Sequence, residues 1–106
     1  MANIEIVDPG YSTIKWEEVG QIVEGYYKGT REIKMGSQVS HVHLLYDDSF
    51  NEIECFGAGE LNRKLQAVKQ QFPGDPYVYI LYNGRDEKAR HTFTVTLDKD
   101  RIKTDL

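Results

Sequence analysis

Residues 57 to 74, GAGELNRKLQAVKQQFPG, decide the fold class, because here the apolar period changes. Leu61, Leu65, Val68 and Phe72 follow at spacings of four, three and four, which is one face of a helix. Glu60 suits the positive end of that helix, and Pro73-Gly74 stops it. The segments on either side read as strands.

Upstream, Val19 to Tyr27 is rich in β-branched and aromatic residues, with Gly25 placed where a bulge or sharp coil is permitted. In QVSHVHLLY, residues 38 to 46, Ser40, Val42 and Leu44 share one face while Val39, His41 and His43 share the other. Asp47-Asp48-Ser49 supplies a turn, after which Ile53 and Cys55 lie opposite Glu52, Glu54 and Phe56. Downstream come a strand at 76 to 82, a loop at 83 to 90 and a strand at 91 to 97, with His91, Phe93, Val95 and Leu97 on one side. The order β-β-β-α-β-β predicts an all-β fold with one helix, a five-stranded Greek-key OB-fold barrel with the helix between strands three and four. The first strand must then coil enough to serve both halves of the barrel. Another small barrel or an α+β sandwich is the alternative.

The 106 residues suit a single domain, with residues 1 to 18 as an N-terminal arm or extra strand and 98 to 106, DKDRIKTDL, as a flexible end. Apolar residues make up 40% and charged residues 28%, so the chain can bury a core and is not disordered by composition. No apolar run approaches the roughly 18 residues of a spanning helix and no secretory leader opens the chain, so no membrane association and a cytoplasmic location are expected. The lone Cys55 makes no internal disulfide. A net charge of -4 argues against indiscriminate coating of duplex DNA. Positive charge is nevertheless local.

Residues 23 to 34, VEGYYKGTREIK, place Tyr26 and Tyr27 beside Lys28, Arg31 and Lys34. Rings for unpaired bases and cations for phosphates are what binding a single strand needs. Tyr26 and Tyr27 project to opposite faces of a regular strand, so one is expected inward and the other open for stacking. The second loop has the same composition, with Tyr82 before Asn83-Gly84, then Arg85, Lys88 and Arg90. In an OB arrangement the two loops, residues 27 to 37 and 83 to 90, flank one groove, which would bring six cations together. Between them, Val42, Leu44, Ile53 and Cys55 are expected inward. The groove floor would then show His41, His43, Glu52, Glu54 and Phe56, with the carboxylates pairing across strands to the histidines and His43 and Phe56 serving as stacking surfaces.

His41, His43 and Cys55 are reasonable zinc ligands in type but form too small a set, and two strand histidines are more often surface residues. No phosphate loop, nucleophile elbow or dinucleotide glycine pattern is present. Neither enzyme activity nor a metal or cofactor is expected.

The runs VGQIVEGYYKG, HVHLLYDD, IECFGAGELNRKL and YVYILYNG together resemble the small OB-fold single-stranded-DNA-binding proteins of bacteriophages, over roughly residues 16 to 97. The resemblance implies largely sequence-independent binding of single-stranded DNA, or of RNA, in replication, recombination or repair. It also implies contacts with replication or recombination proteins and a host cytoplasmic setting. One departure is plain: related proteins often end in an acidic partner-recruiting tail, whereas this end mixes Lys99, Arg101 and Lys103 with its aspartates. The competing expectation is a protein-interaction module of the same fold, since Tyr and Arg are enriched at such surfaces. A homodimer through a β edge or the Ile4 to Tyr11 arm also fits.

Overall fold

A computed structural model describes residues 13 to 103. In chain order the elements are β1 (Thr13–Ile14), β2 (Ile22–Met35), β3 (Gln38–Tyr46), β4 (Glu52–Phe56), α1 (Gly59–Gln71), β5 (Asp75–Arg85) and β6 (His91–Lys103). The strands form one sheet in the order β1-β4-β3-β2-β5-β6. Every pairing is antiparallel except the short parallel contact of β1 with β4. The protein is thus mostly β with one helix, its sheet curled into an open half-barrel.

The 14-residue β2 serves both halves, as a long coiled first strand should. Ile22 to Tyr26 pair with β5 and Tyr26 to Met35 pair with β3. At Gly25 the strands approach so closely that an added Cβ would lie 2.9 Å from the Tyr46 carbonyl oxygen. The expected irregularity falls later, between Tyr27 and Gly29.

Successive residues of β2 separate two cores. Tyr27 joins Trp16, Leu45, Cys55, Val78, Ile80, Tyr82 and Phe93 beneath Leu61 and Leu65 of α1. Each fully buried aliphatic side chain there contributes roughly 1.5 to 3 kcal/mol of transfer free energy. Tyr26 instead packs with Tyr46 and Tyr77 in a smaller cluster, flanked by Tyr79. The helix face predicted from spacing holds for Leu61 and Leu65, which are fully buried, and for Val68, which packs against them.

Several expectations are corrected. Six strands stand where a five-stranded barrel was predicted, and the helix lies between the fourth and fifth; the additional two-residue β1 falls within residues 1 to 18, where an arm or extra strand was expected. Residues 27 to 35 are strand, not loop, so the β2–β3 turn is confined to the junction of Met35 and Gln38. On β3 the residues facing the main core are shifted by one: His43 opposes Cys55 and Leu45 opposes Ile53, and directly opposed residues share a face, whereas Val42, opposite Phe56 on the other face, is nevertheless fully buried as expected. The run Leu44-Leu45-Tyr46 is apolar in both phases, so alternation could not choose between them. Residues 98 to 103 are not a loose end; they continue β6, with Ile102 and Lys103 opposite Pro76 and Asp75. The Ile4 to Tyr11 arm lies outside the described residues.

Candidate nucleic-acid interface

Two adjoining clefts meet at Ala58 and His91. The first, of about 310 Å³, is lined by Lys15, Trp16, Ser40, Phe56, Gly57, Ala58 and His91. The second, of about 510 Å³, continues over Ala58, Gly59, Glu60, Arg63, Asp86, Arg90 and His91. Together they form a trough from Ser40, which pairs with Ile33 toward the turn end of the β2–β3 hairpin, past the end of β4 and the start of α1, to the tip of the β5–β6 hairpin. Two hairpins distant in sequence therefore reach one depression.

Each wall has a local cause. Trp16 is held by its indole N–H, which donates to the Phe56 carbonyl at 2.7 Å. Its ring meets Phe93 edge-on at 5.1 Å and Tyr82 at 5.9 Å. The Tyr82 hydroxyl lies 2.6 Å from His91 Nδ1 and fixes that ring at the junction of the two clefts. Glu60 accepts from the Phe93 amide at 3.0 Å and from Lys64 at 2.9 Å, and these bonds hold its carboxyl below the usual range. Asp86 is likewise lowered, first by the Arg90 backbone N–H, and folds the hairpin tip by accepting from the Lys88 and Arg90 amides. Both carboxylates of the trough are thus matched by a cation, Lys64 or Arg90. Lys15 and Arg63 form no ion pair among the described residues, although the charge of Arg63 also helps to lower the Glu60 carboxyl.

The residues singled out in the sequence divide sharply. Phe56 is half-buried and lines the trough, with Arg90 at its far end. Lys34, Arg85 and Lys88 are exposed near the two hairpin tips and make no ion pair among the described residues. Arg31, by contrast, donates twice to Glu54, at 3.0 and 3.1 Å. Lys28 lines a different cleft, beside Phe50 at the other end of β3 and β4. Six free cations therefore do not converge. The cross-strand pairing of histidine with glutamate is also different: His41 sits 3.4 Å from Glu32, and Glu54 goes to Arg31.

The rings expected to stack on bases are mostly interior. Tyr26, Tyr27 and Tyr82 expose 5%, 2% and 4% of their surface, because β2 and β5 each have a packed layer on both faces. Neither Tyr26 nor Tyr27 is left open. His43, expected on the groove floor, is 1% exposed. Its Nε2 faces Asn62 Oδ1 at 2.7 Å, so Nε2–H donates, and its Nδ1 accepts from the Thr30 hydroxyl at 2.8 Å. The Tyr27 hydroxyl closes the chain on Thr30. Burial lowers the His43 pKa to about 4, so the ring is neutral near pH 7. Both nitrogens are engaged, and among the described residues no group of three or more His, Cys, Asp or Glu is placed to hold a metal.

Sequence reading missed Lys15, Arg63, His91 and Phe50. The first three carry no local motif; they are neighbours only through the helix start and a hairpin. Phe50 was hidden inside a turn whose chemistry was read from its aspartates.

Comparison of the chain with protein-family models, curated proteins and solved structures gives no match. No described helix is long and apolar enough to cross a membrane.

Proposed function

We propose that this chain is a largely sequence-independent single-stranded-DNA-binding protein built on an OB-type half-barrel. The observation that carries the reading is the trough, where the segment after β1, the helix start and the β5–β6 hairpin bring Lys15, Arg63, Arg90 and His91 around half-buried Phe56, with Trp16 at its edge and otherwise packed in the core. The strand order β4-β3-β2-β5-β6, with the helix following β4, supports it, since an OB barrel places its two binding loops on such a sheet. A single strand needs phosphate contacts spaced along a groove and a few flat surfaces. The trough offers both without a broadly basic surface, which accommodates the net charge of -4.

Trp16 is the sole tryptophan and, although only 9% exposed, borders the trough, so its emission is the intrinsic signal nearest to a bound strand. Titration with single-stranded oligo-dT at low salt should change Trp16 fluorescence, saturably, with duplex of the same length much weaker. Lys15→Glu combined with Arg63→Glu should weaken binding by about tenfold or more, since each reversal replaces an attraction with a repulsion. Unchanged Trp16 emission and no gel shift at micromolar protein would reject the reading.

A further inference from the structure

Phe50 is out of place by two measures. It exposes 65% of its surface, and its backbone holds φ at 63°, the left-handed region that a bulky side chain rarely occupies. The turn around it is well specified. Asp47 accepts at one carboxylate oxygen from the Ser49 and Asn51 amides, both at 2.9 Å, and at the other from the Asn51 side chain at 3.0 Å. The Phe50 amide closes on the Asp47 carbonyl at 3.0 Å. Glycine or asparagine would satisfy this turn better, so the phenyl ring is not there for the turn.

What the ring does is extend a column. Tyr26 and Tyr46 stack at 5.3 Å with planes 28° apart, and Phe50 stacks on Tyr46 at 5.7 Å with planes 14° apart. The Tyr26 and Tyr46 hydroxyls are tied to Asp48 at 2.8 Å and Asp75 at 2.7 Å, so the inner rings are fixed. Lys103 lies 4.8 Å from the Tyr26 centroid and 5.0 Å from that of Phe50. Lys28 is exposed, makes no ion pair among the described residues, and lines the adjoining cleft of about 330 Å³ with Phe50; of the three carboxylates in that lining, Glu54 is paired with Arg31 and Asp75 with Lys69, which leaves Glu52 as the one opposing charge without an ion pair among the described residues.

We propose that Phe50 is a second contact point for the bound strand, taking one unpaired base on the open end of the ring column, with the attached phosphate drawn to Lys28 and Lys103. The site lies at the opposite end of β3 and β4 from the trough, about 20 Å away by strand rise. A strand touching both must therefore cross the outer face of the sheet between them. Strained backbone kept at an exposed ring is what motivates assigning this residue a contact beyond its stack on Tyr46. This inference rests on the single-strand reading above.

Its test separates the two. Binding of fluorescein-labelled dT15 and U15 is measured by anisotropy for the wild-type protein, Phe50→Gly, Phe50→Asn, Phe50→Trp and the Lys15→Glu/Arg63→Glu pair. Phe50→Gly and Phe50→Asn should bind about tenfold or more weaker than wild type while melting within a few degrees of it, because relief of the left-handed backbone offsets the lost ring contacts with Tyr46 and Lys103. Phe50→Trp should bind as well as wild type or better. A loss with dT15 alone identifies DNA as the strand, and a loss with both identifies a base platform shared by RNA. Wild-type affinity in Phe50→Gly, with the Lys15/Arg63 pair impaired, overturns the Phe50 site and leaves the trough standing. Equal losses in Phe50→Trp and Phe50→Gly also overturn it. Absence of binding by the wild-type protein removes both.

Discussion

At the scale of single residues, His43 shows how an interior can hold a titratable group. Its cost of burial is met by two hydrogen bonds in which a neutral ring donates once and accepts once. Protonation would add a second donor facing the Thr30 hydroxyl and a charge in an apolar surrounding. The unfolded imidazole takes its proton near pH 6.5 and the folded one only near 4. Between those values the unfolded chain binds more protons, so stability falls as pH drops through the window, by on the order of 3 kcal/mol in total. Urea denaturation at pH 7, 5.5 and 4 should show this loss, and His43→Gln should flatten it. The same chain explains Gly57: a Cβ there would lie 2.2 Å from Asn62 Oδ1 and 3.0 Å from His43 Nε2. Gly57→Ala should therefore displace Asn62 and cost about 1 to 3 kcal/mol, the penalty for a buried polar group deprived of its partner. A midpoint in urea equal to that of the wild type would contradict this. Burial likewise pushes the Cys55 thiol up to about 12, so the native protein should resist alkylation near neutral pH.

Elements are joined by a few side chains that bridge their ends. Asp75 opens β5, and its carboxylate accepts from Lys69 of α1 at 3.0 Å and from the Tyr46 hydroxyl of β3 at 2.7 Å. Lys69 also donates to the Gly74 carbonyl at 2.6 Å, which secures the turn after the helix. Removing the buried carboxylate leaves the Tyr46 hydroxyl without its acceptor and the Lys69 ammonium with the Gly74 carbonyl but no counter-charge. Asp75→Ala should cost about 2 to 4 kcal/mol, less than a fully buried pair because Lys69 is partly wet. Arg90→Ala, which breaks the exposed pair with Asp86, should cost less than about 1 kcal/mol. Thermal melts of the two variants compare these directly. The helix itself depends on burial more than on capping. Its N-cap, Ala58, supplies no side-chain bond, while Leu61 and Leu65 are fully enclosed. Leu65→Ala should accordingly destabilise by roughly 2 to 5 kcal/mol.

For the whole molecule, the balance of charge sets how binding responds to conditions. On the proposed single-strand reading, the cations at the trough and at the Phe50 column would act through counterion release, and affinity for oligo-dT should then fall steeply between 50 and 200 mM salt. Each cation removed from the path should lower the slope of log affinity against log salt by less than one, since single strands release about 0.7 ion per phosphate. A slope unchanged in the Lys15→Glu/Arg63→Glu variant would mean that the strand does not pass there. Much of the architecture was legible along the chain. The helix at 59 to 71, the hairpin across Asp47 to Asn51 and the inward side of Phe93, Val95 and Leu97 each follow from a period or a turn residue. Such signals are local, and local spacing is what a linear reading measures. The inward phase of β3 was not legible, because Val42, Leu44, Leu45 and Tyr46 supply apolar residues to both faces.

The amino-acid order alone determined a small β-rich chain with one amphipathic helix, a core available without disulfides and positive charge concentrated in two segments. Only the folded chain decided which rings are buried, that Arg31 is held by Glu54, and that Lys15, Arg63 and His91 share a trough. The reason is physical: hydrophobic period is written residue by residue, whereas exposure and neighbourhood depend on how strands from distant segments register against one another.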